Sequence, residues 1–328
     1  MHTGVSTIGL ENKKVLGKEA ALKKAGAAFL KQKKKAEKLK PYLFLTPAIL
    51  MILFWHYKPL LETIQYSLYK WSMVPGTVPE YVGLQNFQKL LTNKDFVPAL
   101  KNTLFYVLGM LPFSIILPIF IATATQDLNN AAKRIYRTLF FIPMIMAPVA
   151  VSVIFQWLLH PSNGLINHLL QVFGITTENI AFFSNQKYAM PMIILISGWK
   201  MIGFSTLMFS SALSGIDTQY YEASKMDGAG RFRSFIHITI PLLSPTIMMM
   251  LMMSILFSSQ WSFAYIDVLT QGGPFSTSTN IYYMMYKFAF GDMNVGACAA
   301  AATLFLVIFG IIALMLQKLS DRVAFYDN

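Results

Sequence analysis

Two polar segments stand out in a chain otherwise poor in reactive side chains. The first runs Asp217-Thr218-Gln219-Tyr220-Tyr221-Glu222-Ala223-Ser224-Lys225-Met226-Asp227-Gly228-Ala229-Gly230. Residues 218–227 form an amphipathic pattern two turns long, with Asp217 or Thr218 able to cap its start and Gly228 able to supply a left-handed stop. A helix that short does not hold itself together in water. It must dock, either on its own bundle or on a partner, so its chemistry is that of recognition. The second segment, Ser258-Ser259-Gln260-Trp261-Ser262-Phe263-Ala264-Tyr265, gathers hydroxyls, an amide and aromatic faces inside an apolar stretch. Polar side chains facing lipid are costly, so this cluster is expected to face the protein interior. Two roles fit it: a site for a ligand with hydrogen-bonding edges and apolar C–H faces, or glue between packed helices. Trp199 and Lys200 are weaker candidates, Trp199 with packing or an interface position as its competing role, and Lys200 as the one cation an anionic solute could use.

Catalytic chemistry finds no support. There is no His-Glu-x-x-His, no carboxylate pair within an apolar stretch, and the five histidines are scattered. Cys298, the only cysteine, sits in an Ala-rich run and excludes an internal disulfide.

The elements that must position these segments are membrane helices. Of 328 residues, 55% are hydrophobic and 13% charged, with a mean hydropathy of +0.49. A soluble domain carries roughly 25% charged residues, so this chain cannot cover a water-facing surface. Six stretches reach the ~20 residues needed to span a bilayer, at about 43–64, 101–125, 138–159, 189–213, 243–263 and 295–317. The fold class is therefore an all-α polytopic membrane protein with six transmembrane helices. Lys58, Glu62, Lys101 and Lys200 lie near span boundaries, where snorkelling or local pairing accounts for them. No acid sits at the middle of a span, which weakens a proton- or sodium-coupled mechanism.

The net charge of +12 is concentrated in a basic tail, residues 1–40, with eleven Lys and three Glu. That tail has no Trp or Tyr to stack on bases, so nucleic acid is not the expected partner. An interfacial helix over 15–30 on anionic lipid and a solvated arm both fit it. The tail and the segments 126–137, 214–242 and 318–328 hold nineteen Lys/Arg, against five in 65–100, 160–188 and 264–294. This asymmetry puts both termini, the polar 217–241 loop and the tail 318–328 in the cytoplasm. The outer segments carry aromatics such as Trp71, Tyr81 and Phe87, which suit short ordered caps at the interface.

Glu222-Ala223-Ser224, Gly228, then Ile238-x-Ile240-Pro241 resembles the EAA loop of ABC-importer permeases: Glu-Ala-Ala, three residues, Gly, nine residues, Ile-x-Leu-Pro. Ser224 stands for the second Ala and Ile240 for the Leu. From Lys40-Pro41-Tyr42-Leu43-Phe44-Leu45-Thr46-Pro47 onward the chain is similar to MalF/UgpA-type carbohydrate permeases. Tyr81-Val82-Gly83-Leu84-Gln85-Asn86-Phe87 and Leu269-Thr270-Gln271-Gly272-Gly273-Pro274 resemble their first and last outer loops.

The resemblance implies a binding-protein-dependent importer of a carbohydrate, first an oligosaccharide, second glycerol phosphate or another polyol derivative. It implies a second homologous permease, two ABC ATPases carrying the ATP and Mg, and an extracytoplasmic solute-binding protein; this chain holds no cofactor or metal. The EAA helix would sit in an ATPase cleft. Glu222 and Asp227 belong to that coupling segment, with Glu222 making polar contacts and Ala223 and Ser224 allowing close approach. Met226 would fill an apolar pocket, Gly228 the turn, and Ile238 and Pro241 lead back to the membrane. The resemblance places the solute site at mid-membrane, on the 258–265 stretch. A secondary transporter or channel would instead call for intramembrane acids or a repeated pore motif, which the sequence lacks.

The charge asymmetry generates a test. In a Cys298→Ala background, single cysteines at Ser162, Ser276 and Ser224 are exposed to an impermeant thiol reagent on intact cells. The first two are expected to label; labelling at Ser224 from outside would overturn the orientation.

Overall fold

A computed structural model describes residues 41–126 and 128–323. The basic tail, with its helix-or-arm alternatives, and residues 324–328 lie outside the described residues. The chain divides into two compact units after Glu62. Within the first, the described residues are helical and belong to α1 (Pro41–Tyr66), where Lys58 and Glu62 pair at 3.8 Å one turn apart. A charge that faces its neighbour on the same helix needs no other partner.

The second unit carries the remaining long helices: α3 (Phe96–Ala124), α7 (Ala189–Ser214), α10 (Ser244–Leu269) and α12 (Val295–Val323). Between α3 and α7 lie α4 (Asn130–Ile145) and α5 (Pro148–Leu158), bent by 95° at a short break. Among the described residues five helices are long and apolar enough to cross a membrane, six if the bent pair is one span. The chain is thus a helical, polytopic membrane protein.

The single stretch expected over 138–159 is a bent pair of helices. Pro148 explains the difference: a proline ring disfavours helical backbone at the residue before it. Met146 and Ala147 accordingly sit extended, with ψ of 137° and 134°, and Pro148 starts the new helix where its missing N–H costs nothing. The fifth span also runs further than 263, to Leu269, and the last runs on through 318–323.

α7 is the centre of the unit. Its buried residues fall on every side of the helix, from Ala189 through Ile193, Ile196 and Met201 to Leu213. A helix apolar all round is one surrounded by protein. Gly203 allows its closest approach, because a Cβ there would land on the carbonyl oxygen of Phe140 in α4.

The connections 67–95, 159–188 and 270–294 are pinned by side-chain amides. Strands β1 (Tyr69–Lys70) and β2 (Glu80–Tyr81) pair antiparallel, and α2 (Gln85–Leu91) follows. Asn86 donates to the carbonyls of Ser67 and Tyr69 at 2.8 and 2.9 Å. Asn167, on α6 (Leu165–Val172), exchanges hydrogen bonds with the backbone of Ile180 and also donates to His160 O. Asn280 caps α11 (Ile281–Tyr286) by accepting from Tyr283 N, and Asn102 donates to Ser276 O and Thr279 O.

Gly203→Leu is expected to destabilise the protein by more than the ~1–3 kcal/mol typical of overpacking, because the obstacle is backbone. Gly203→Ala should cost less but still lower the melting temperature in detergent. Melting at the parental temperature for Gly203→Leu would show that α4 and α7 do not pack this closely.

Candidate functional site

The polar loop folds as its residues dictate. α8 (Thr218–Met226) begins at Asp217, whose carboxylate accepts from Gln219 N at 3.0 Å. It ends at Gly228 with φ of +74°. Gly228 N donates to Lys225 O and Ala229 N to Ser224 O, the paired bonds of a Schellman stop. A second helical stretch, α9 (residues 231–242), leads toward α10 and contains a wide π turn over Phe235–Thr239 just before Pro241.

Two hydroxyl pairs hold α8 to α9. Ser224 Oγ meets Ser234 Oγ at 2.5 Å, and Tyr221 Oη meets Thr239 Oγ1 at 3.1 Å. Ser224 is therefore buried against its own chain, and the small residue at this position serves an internal contact. Glu222, Ala223, Asp227 and Gly228 are exposed, and Met226 is 91% exposed. Ile238 is half-buried and Pro241 exposed. The loop thus offers one face while the other is fastened down, and Met226 is a better position than Ser224 for thiol labelling.

The 258–265 cluster divides between two faces of α10. Ser254, Ser258 and Ser262 recur every fourth residue and are all buried. Ser114 Oγ in α3 donates to Ser254 Oγ at 3.1 Å, Ser258 Oγ donates to Ser254 O at 2.5 Å, and Asn280 Nδ2 donates to Ser262 Oγ at 2.6 Å. Tyr265 is fully buried nearby. Ser254 and Ser262 thus bond α10 to α3 and to the 270–294 segment, the kind of contact by which small hydroxyls join packed helices. Ser259 and Gln260 are helical; their side chains lie outside the described residues.

The second face carries aromatics. Trp261 is half-buried and stacks on Phe257, ring centroids 4.7 Å apart and 17° from parallel. Phe257 meets the edge of Phe204 in α7 at 5.9 Å. Trp199 is 39% exposed and meets Phe155 of α5 edge to face at 5.7 Å.

Lys200 departs most from the sequence reading. It is no snorkelling boundary residue: it is 4% exposed, twelfth of the 26 residues of α7. Its Nζ donates to Met146 O at 2.5 Å and lies 5.9 Å from the centre of the Trp261 ring. Counting from both ends of the span would have revealed its central depth. Among the described residues no group of His, Cys, Asp and Glu could hold a metal ion.

With this architecture in place, the comparisons define the class. Residues 102–324 match the binding-protein-dependent transport system inner membrane component, and the chain belongs to that family. It is 31% identical to the probable ABC transporter permease protein YurN of Bacillus subtilis, over 86% of this chain and 96% of that one. It is 30% identical to the sn-glycerol-3-phosphate transport system permease protein UgpA of Pectobacterium atrosepticum, over 86% and 95%. A crystal structure of a bacterial ABC transporter that imports the acidic polysaccharide alginate superposes with a TM-score of 0.76 at 25% identity. That match covers 88% of this chain and 99% of the other. The chain is a transport subunit, not an enzyme.

The two faces of α10 make opposite predictions. Ser262→Ala strands the Asn280 amide, which should cost about 1–3 kcal/mol of stability while uptake per assembled complex stays near parental. Trp261→Ala should leave the complex assembled but lower uptake. Thermal unfolding and proteoliposome uptake of both variants check this; equal effects of the two on both measures would erase the distinction.

Proposed function

We propose that the chain forms half of the translocation pathway of an ATP-driven importer for a carbohydrate, and that α8 is its coupling element. The observation that carries this is the build of α8: a capped, two-turn helix fastened by Ser224 and Tyr221, with Glu222, Ala223 and Met226 turned outward. An exposed methionine beside a lone helix acid suits a partner cleft with an apolar pocket and a polar rim. The partner is an ABC ATPase carrying the ATP and Mg, present twice in the assembly. A second permease homologous to this one completes the pathway, and an extracytoplasmic binding protein delivers the solute.

In this reading there are six spans, the bent α4–α5 pair counting as one, and both termini and α8 are cytoplasmic, as the Lys/Arg asymmetry supports. The solute passes the aromatic face of α10, where Trp261 offers a stacking surface for sugar C–H faces. An oligosaccharide is the preferred solute. A phosphorylated polyol is the second reading, favoured by the UgpA relatives, permeases named for sn-glycerol-3-phosphate transport.

Coupling is tested at two residues. A Cβ at Gly228 meets nothing within 4 Å, so the penalty there is purely the positive φ, about 1–2 kcal/mol. Gly228→Val and Glu222→Lys are expected to insert normally yet abolish uptake, either by losing the ATPases in detergent or by hydrolysing ATP without transport. Gly228→Asn, which tolerates this backbone, should retain most activity. Parental uptake and solute-stimulated hydrolysis in the first two variants would remove α8 from the coupling role.

A further inference from the structure

We propose that Lys200 is a positioning residue for transport, holding the break of the third span in register with Trp261. The inference rests on the reading of the chain as an ATP-driven importer and adds a role for a side chain that reading does not use.

The argument starts from the break. α4 ends at Ile145, and the last carbonyls of a helix have no intrahelical partner. In an apolar surrounding such a group needs a donor. Lys200 supplies one to Met146 O, and a cation at a helix C-terminus is also favoured by the dipole. Among the described residues no carboxylate pairs with this ammonium. Its charge is met by the helix end and by the Trp261 ring.

The neighbours of Lys200 make the contact a register mark. Along α7, Gly203 lies against Phe140 of α4, Lys200 against Met146 at the break, and Trp199 against Phe155 of α5. Both halves of the broken span are thus read off one short run of α7. Gly203 and Trp199 make contacts that need only shape. Lys200 makes a charged one, and its ammonium also lies over Trp261 of α10. Moving either half-helix must change what its ammonium touches, and Trp261 shares that ammonium.

The test uses the full complex with its binding protein in proteoliposomes, with rates taken per assembled complex from co-purified ATPase. Lys200→Met is expected to lower uptake at saturating solute at least tenfold, with the half-saturating concentration within twofold of parental. Lys200→Arg, which keeps charge and donors, should recover at least a third of the parental rate, and Lys200→Gln should fall between. Fewer complexes with a parental rate per complex would make the lysine purely structural and overturn the proposal. So would a shift in half-saturation alone. Should Lys200→Met fail to assemble, equal rates per complex for Lys200→Gln, Lys200→Arg and parent overturn it. ATP dependence of parental uptake is measured alongside; its absence sinks the importer reading whatever the Lys200 variants do.

Discussion

A backbone carbonyl surrounded by apolar side chains has no water to turn to, and the third span places such carbonyls where its helix stops short. Pro148 forces the stop by pushing Ala147 into extended backbone. Everything packed around the break can be read as a response. α7 approaches closely enough, through Gly203, for its side chains to reach the gap. Lys200 fills one vacancy with a full charge, and that charge in turn is sheltered under the Trp261 ring. Without the donor, a broken span at this depth would be a liability of several kcal/mol.

The same accounting separates the two ends of the molecule. At one end, Asn86, Asn102 and Asn167 satisfy loop carbonyls directly, with side-chain amides replacing water, and Asn280 donates to the Ser262 hydroxyl. Loops held this way resist deformation and suit a platform. On the α8 side two hydroxyl pairs fasten the loop, and large apolar side chains stay exposed, Met226 and Phe232 among them. A soluble surface rarely leaves such groups bare without a partner to cover them. One end is finished within the chain; the other leaves large apolar groups bare.

How much of this the sequence discloses depends on whether the controlling interaction is local. The cap at Asp217 and the stop at Gly228 are local, so both were legible, as were the apolar lengths of the spans. The face assignment of Ser258, Ser262 and Trp261 was not, since it depends on the rotation of α10, which neighbours set. Prolines were equally ambiguous: Pro112, Pro118 and Pro143 are accommodated within continuous helices, while Pro148 ends one. Membrane helices tolerate proline when the freed groups find other partners, and the partner of Met146 lies 54 residues away.

The division of α10 into a serine stripe and an aromatic face has a mechanical consequence. The stripe binds α10 to α3 through Ser114 at Ser254 and to the 270–294 segment through Asn280 at Ser262. The start of α10 continues through buried Leu243 into α9, which carries Ser234 and Thr239, the two hydroxyls that hold α8. α8 is therefore joined, through short directional bonds to α9, to a helix clamped at two places along its length. Phe257, which stacks on Trp261 and touches Phe204 of α7, lies between those clamps on the other face. Aromatic stacks slide at little cost compared with breaking a buried amide–hydroxyl bond. The softer face is the one turned toward Lys200 and the break.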